Sequence, residues 1–137
     1  MRMNNTYGIR AENYFSSQLN ELGLENKYIN DWYDFIVEGE KVEVKSCELS
    51  IKQTKKKGRK RIETYRSGRF HFTEKKNRKL QYNHNIWVCF ILRHVNDFII
   101  LGFIRAKKLK MRKHLCVHTL KKLKLISLNQ WVGKIIK

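Results

Sequence analysis

At 137 residues the chain has room for one domain with a core and little more. Its hydrophobic content, 42%, is that of a globular chain and excludes a disordered one. Lys and Arg outnumber Asp and Glu by 30 to 12, a net charge of +18 that exceeds what solubility needs and implies a polyanionic partner.

The charge is unevenly divided. Residues 1–50 carry nine acids and five bases, whereas residues 51–137 carry 25 bases and three acids. Acids therefore concentrate where a cation would sit, and bases where a phosphate backbone would lie. A plain basic binder has no reason to keep such a cluster of carboxylates. The three Cys are odd in number and far apart, and the start of the chain is polar. Both features point to a reducing, intracellular setting, cytoplasmic and nucleoid-associated. No apolar run approaches a membrane span, so no membrane partner is expected.

In chain order, residues 7–22 read as a helix, with Ala11, Phe15, Leu19 and Leu22 at helical spacing and Gly23 as a stop. Glu12 lies beside this stripe. It is either brought near a sheet when the stripe packs or left facing solvent, and Glu21 is a weaker candidate of the same kind. Lys27 to Asn30 reads as a short strand.

Residues 31–48 read as a β-hairpin. Positions 33–38 and 41–46 alternate in polarity, and Gly39-Glu40 suits a two-residue type II′ turn. That turn would set Phe35 opposite Val44 and Asp34 opposite Lys45. Tyr33, Phe35, Val37, Val42 and Val44 would then share one face, with Asp34, Ile36, Glu43 and Lys45 on the other. Asp34 and Glu43 become diagonal neighbours, with β-carbons roughly 7–8 Å apart or less. Two carboxylates and a lysine on one face form an unusual set for a purely structural hairpin. The ordinary alternative for Lys45 is a cross-strand partner for Asp34.

Asp34, eight residues, then Glu43-Val44-Lys45 resembles the catalytic signature of the PD-(D/E)XK nuclease superfamily. Among its branches the archaeal Holliday junction resolvases are the nearest likeness. Tyr33 stands where the signature has Pro, and this chain contains no Pro at all. The resemblance implies an α/β, single-domain restriction-endonuclease-like fold over residues 1–137, with a mixed central β-sheet flanked by helices. It implies metal-dependent hydrolysis of DNA phosphodiesters, structure-selective and of weak sequence specificity. Asp34, Glu43, the Val44 carbonyl and the helix-borne Glu12 would hold Mg²⁺, with Mn²⁺ as a substitute, and Lys45 would act on the water or the phosphate. Double-stranded or branched DNA is the implied partner, and paired cuts imply a homodimer. Composition alone does not separate DNA from RNA. A non-enzymatic basic nucleic-acid binder, or a subunit active only with a partner, is the alternative.

Residues 51–69 carry nine bases against one acid, Glu63. Such a block repels itself, and a basic mobile loop is expected there. Lys55, Lys56, Lys57, Arg59, Lys60, Arg61 and Arg66 are its candidate phosphate contacts, followed by Arg69 and His71. The more frequent outcome of the alternation Arg69-Phe70-His71-Phe72 is instead a segment with both Phe in the core and the polar pair facing out. A helix is expected at about Thr73 to Tyr82. Ile86 to Leu92 and Phe98 to Ile104 read as strands buried on both faces, with a turn at Asn96-Asp97 and a close approach by a helix at Gly102. A short helix is expected at Ala106 to Met111 and a last strand at Leu123 to Leu128. Ser127 or Asn129 would cap a terminal helix anchored by Trp131 and Ile135. His114, Cys116 and His118 alternate as zinc ligands on a strand would, but a fourth ligand is missing, and a buried Cys between exposed His residues is the default.

Overall fold

A computed structural model describes residues 6–29, 31–73, 75, 79–80, 85–109 and 114–136. The first element is helix α1, Tyr7–Glu21. Thr6 caps it by accepting the Ile9 N–H at 3.4 Å. It stops at Gly23, whose φ is +71°. The Leu24 N–H then bonds Leu19 O at 2.9 Å, and the Gly23 N–H bonds Asn20 O at 3.0 Å, the paired bonds of a Schellman ending. Ala11, Phe15 and Leu19 are fully buried, as their spacing predicts.

The strands of the central sheet are β1 Asn26–Tyr28, β2 Phe35–Val37, β3 Glu40–Glu48, β7 Ile86–His94 and β8 Asp97–Arg105. They lie side by side in that order. Strands β3 and β7 run parallel and the other neighbours antiparallel, so the sheet is mixed as expected. Outside it, β4 Ser50–Lys57 pairs with β5 Lys60–Ser67, and β6 Arg69–His71 pairs with β9 His114–Cys116. A 3₁₀ turn covers Ala106–Lys108, and helices α2 Val117–Leu120 and α3 Leu128–Ile135 follow it. Among the described residues no helix is long and apolar enough to cross a membrane.

The sheet buries both faces. On one, α1 and α3 cover Phe35, Val37, Val42, Val44, Trp87, Cys89 and Phe103. On the other, Phe70, Phe72, Leu80, Leu115 and Leu120 cover Val88, Phe90 and Ile104. Strand β7 is buried from Ile86 to Arg93, which explains its unbroken apolar run. Strand β8 is an edge and not a doubly buried strand, and its first half is only partly covered. Its turn is Val95-Asn96, one residue earlier than predicted, because His94 faces Asp97.

At Gly102 the close neighbour is an extended segment, not a helix. A β-carbon there would lie 2.8 Å from Ile126 O, and Phe103 bridges Ile126 in antiparallel fashion. The predicted last strand reduces to that bridge. Ala106–Lys108 is a single 3₁₀ turn within the predicted Ala106 to Met111 helix. The helix expected at Thr73 to Tyr82 lies largely outside the described residues. His118 falls in α2, so the alternation of His114 and Cys116 ends with β9 and no strand face carries all three.

Helix α3 has a full capping box. The Ser127 hydroxyl accepts the Gln130 N–H at 3.2 Å, and the Gln130 side chain accepts the Ser127 N–H at 2.9 Å. That start aims Trp131 onto Phe103, with ring centroids 4.1 Å apart and planes 4° apart. Ser127→Ala is expected to cost about 1 kcal/mol in urea unfolding, and a loss below about 0.3 kcal/mol would show that Trp131 packing alone holds the helix.

Candidate functional site

The hairpin of β2 and β3 carries the site, but its turn is not the predicted one. Val37 faces Glu40, so the central residues are Glu38 (φ 48°) and Gly39 (φ 82°), a pair with the two positive φ values of a type I′ turn. A left-handed Glu is unfavourable by about 1–2 kcal/mol. Two bonds to Glu25 hold it there. The Glu38 N–H donates to Glu25 O at 3.0 Å, and Glu38 Oε1 accepts the Glu25 N–H at 2.8 Å.

The consequence is a shifted ladder, with Phe35 opposite Val42 and not Val44. The displacement is two residues along β3, an even number, so Phe35, Val37, Val42 and Val44 stay together on the α1 face. Glu43 and Ile36 remain on the opposite face. Tyr33 does not follow the expected alternation. It joins the Glu43 face, where Lys41 Nζ lies 5.4 Å from its ring centroid. The cause is a bulge at Asp34. The Asp34 N–H bonds Val42 O at 3.1 Å, although Phe35 already stands opposite Val42.

The same bulge aims the Asp34 side chain. Its Oδ2 accepts the Val44 N–H at 2.7 Å, replacing the partner that β2 no longer supplies. A strand residue points its N–H and C=O to the same edge, so the Val44 carbonyl lies on this edge too. Asp34 is thereby held against the backbone between Glu43 and Lys45. Glu43 is 1% exposed, and a carboxylate buried to that degree is stable only when paired, hydrogen-bonded or bound to a cation. Lys45 is half-buried, with Nζ 4.8 Å from the Phe72 ring centroid. Phe72 is itself seated on Phe90, the residue beside Lys45 on β7. Sequence reasoning places Phe72 in the core, where it is, but carries no signal that it seats the lysine.

Glu12 is half-buried on α1, one turn before Ser16. The Ser16 hydroxyl donates to Asn26 Oδ1 at 2.6 Å, which ties this side of α1 to the start of β1, opposite Val37. Among the described residues no three His, Cys, Asp or Glu side chains gather closely enough to hold an ion by themselves. The donors at hand are two carboxylates and a backbone carbonyl, all oxygen. That set fits a small hard divalent ion, which binds through one or two carboxylates and keeps waters or substrate phosphates for its other positions.

A concavity of about 320 Å³ lies alongside, lined by Asp31, Trp32, Thr73, Lys75 and Lys79. Its walls adjoin Asp34 through Trp32 and Tyr33, and Phe72 through Thr73. No pattern in the sequence singles out Trp32.

The basic stretch is not an irregular loop. Lys55, Lys56, Lys57, Lys60, Arg61 and Arg66 lie on the paired strands β4 and β5, and Arg59 lies in the turn beside Gly58. Arg69 and His71 lie on β6, where Phe70 points inward and His71 is exposed, the packing its alternation allowed.

Cys47 follows Lys45 on the same strand. Burial, and then Cys116 nearby, push its thiol up to about 12 from the ordinary 9.0, and burial raises Cys89 too. Folded Cys47 therefore keeps a proton that the unfolded chain releases. Its contribution to stability is complete below pH 9.0 and is lost as the pH rises toward about 12. The urea midpoint is expected to fall over that window, and to fall less in Cys47→Ala. An equal fall in both proteins would contradict the assignment.

The family model of the PD-(D/E)XK nuclease superfamily domain matches residues 1–115, which include α1, the whole central sheet and every site residue above. Comparison with curated proteins and with solved structures gives no match.

Proposed function

Because the chain belongs to the PD-(D/E)XK nuclease superfamily, we propose that it is a metal-dependent DNA endonuclease whose site is Asp34, Glu43, Val44 and Lys45, with Glu12 completing it. The observation that carries this reading is the Asp34–Val44 bond at 2.7 Å, which fixes one carboxylate beside the strand segment bearing the other carboxylate and the lysine. Mg²⁺ is the proposed ion and Mn²⁺ its substitute.

Phosphodiester hydrolysis adds a water oxygen to phosphorus and expels a sugar alkoxide, which takes up a proton. A bound divalent ion supplies Lewis-acid polarisation of the phosphate and a more acidic water. Asp34 and Glu43 would hold that ion, and with it they would fix where a phosphate can sit beside Lys45. Lys45 donates its N–H bonds to the phosphate oxygens as negative charge builds on them. Its seat on Phe72 restricts the lysine before substrate arrives, which lowers the reorganisation needed in the transition state. Glu12, half-buried on α1, would supply a further carboxylate, through water or after a side-chain movement.

Structure selectivity is part of the proposal. Among the described residues no helix is set out as a recognition helix, since α1 and the eight-residue α3 are packed on the sheet and α2 has four residues. Branched DNA and paired cuts would call for two copies of the chain, each with one site. The test is cleavage of labelled linear duplex, single strand and four-way junction with Mg²⁺, with Mn²⁺ and with a chelator. Metal-dependent cutting strongest on the junction is expected. Equal cutting of junction and linear duplex would remove the structure selectivity, and tight binding without cutting would favour a binder or a partner-dependent subunit.

A further inference from the structure

Strands β4 and β5 form a two-stranded ribbon that leaves the sheet where β3 ends. Each strand has eight residues, so the ribbon is about 26 Å long at roughly 3.3 Å per residue. It is rooted firmly. The Leu49 N–H bonds Arg93 O at 2.9 Å, the Gly68 N–H bonds Leu49 O at 3.2 Å, and the Arg93 guanidinium pairs with Glu48. Beyond the root nearly every side chain is exposed.

The tip repels itself. Lys56 faces Arg61 and Lys57 faces Lys60, two directly opposed like-charge pairs on consecutive rungs. The ribbon's one acid, Glu63, is engaged by Lys52 at 3.1 Å. An isolated hairpin is marginal in water, and this one adds repulsion at its end. A polyanion around the tip removes the repulsion.

The cations lie on both faces. By register, Lys55, Lys57, Lys60 and Arg66 project to one side, and Lys52, Lys56 and Arg61 to the other. A ribbon charged on both faces needs phosphates on both sides, which a groove with two phosphate walls provides. A single strand offers one phosphate track and is held by stacking platforms. This ribbon has one aromatic, Tyr65, near its root. The major groove of B-form DNA is about 12 Å wide and admits a two-stranded ribbon. The major groove of A-form RNA is too narrow.

We infer that β4–β5 enters the major groove of B-form DNA beside the cleaved bond and selects duplex DNA over duplex RNA and single strands. The inference rests on the nuclease reading only for what is cut, because the ribbon's role is a binding role. At about 3.4 Å per base pair its length spans up to about eight pairs. The ribbon starts at Ser50, on the same continuous stretch of chain as Lys45, so those pairs lie on one side of the scissile phosphate.

The test uses the full chain, wild type beside the fourfold variant Lys56→Ser, Lys57→Ser, Lys60→Ser, Arg61→Ser, with chelator present so that nothing is cut. Affinity for a DNA duplex, the matching RNA duplex and a single DNA strand is measured against salt. The variant is expected to bind duplex DNA at least tenfold more weakly, with the slope of log K against log salt reduced by about 0.9 for each phosphate it no longer neutralises. Its affinity for RNA duplex and single strand is expected to change less than about threefold, since those partners lack the groove. A like loss on all three, or none on duplex DNA, would overturn the inference. Methylation of guanine N7 in the wild-type complex gives a reading independent of the variant's folding. A one-sided run of protected N7 positions is expected, and unprotected N7 throughout would contradict groove entry. Failure of the nuclease reading would show separately, as absence of metal-dependent cutting with the groove signature intact.

Discussion

Lys45→Ala is expected to lower the cleavage rate by about 10²–10³-fold, the range for loss of one donor that stabilises developing charge. The Lys45 side chain is only half-buried, with its ammonium 4.8 Å from the Phe72 ring centroid. Folding and metal binding should therefore stay near wild type, and the loss should appear in kcat more than in KM. Phe72→Leu tests the seat. Cation–π interactions of this kind are worth about 0.5–2 kcal/mol, so the expected loss is several-fold, with Phe72 acting as a positioning residue. A Lys45→Ala protein that cuts at the wild-type rate would reduce Lys45 to a cross-strand partner of no catalytic consequence.

Gly68→Ala is expected to destabilise the fold by about 3 kcal/mol or more, the upper end for overpacking, because the obstruction is backbone. A β-carbon at Gly68 would overlap the Glu48 carbonyl and approach Cys47 Sγ to 3.1 Å. The same residue donates its N–H to Leu49 O and accepts the Val117 N–H at 3.0 Å. Gly68 is therefore the point where the chain returning from the ribbon passes against the end of β3. Any displacement there moves the ribbon root and the strand bearing Lys45 together. Gly8→Ala is the control, since a β-carbon at Gly8 meets nothing within 4 Å. Urea unfolding of both variants reads the difference, and a Gly68→Ala protein within about 0.5 kcal/mol of wild type would contradict the crossing.

The legible part of the sequence is the part whose pattern burial enforces. Ala11, Phe15 and Leu19 sit under the sheet because a 3.6-residue period leaves no other face for them. The run Ile86 to Leu92 is apolar throughout because β7 is covered on both sides. Alternation in β2 and β3 places Glu43 away from Val42 and Val44, and that survives a misplaced turn because the ladder moves by two.

What stays hidden is decided by contacts and local geometry that spacing does not carry. Glu25 holds Glu38 left-handed, which no rule about Gly39 anticipates. The bulge at Asp34 moves Tyr33 across the sheet without any local signal. The ribbon escapes the sequence because Lys and Arg have little preference for strands and no buried face imposes a period on them. Gly58, with φ +66° beside Arg59, is its one local mark. The seat of Lys45 on Phe72 joins residues from separate parts of the chain and is invisible to spacing.

The most direct measurement is cleavage of supercoiled plasmid DNA by wild type and Glu43→Gln, each titrated with Mg²⁺. Gln keeps the size of this buried side chain and removes its charge. The account predicts metal-dependent cutting by wild type, a loss of at least about 10³-fold in Glu43→Gln, and unchanged DNA binding, because the carboxylate acts through the ion. Equal cutting by the two proteins, or cutting that persists in chelator, would contradict it.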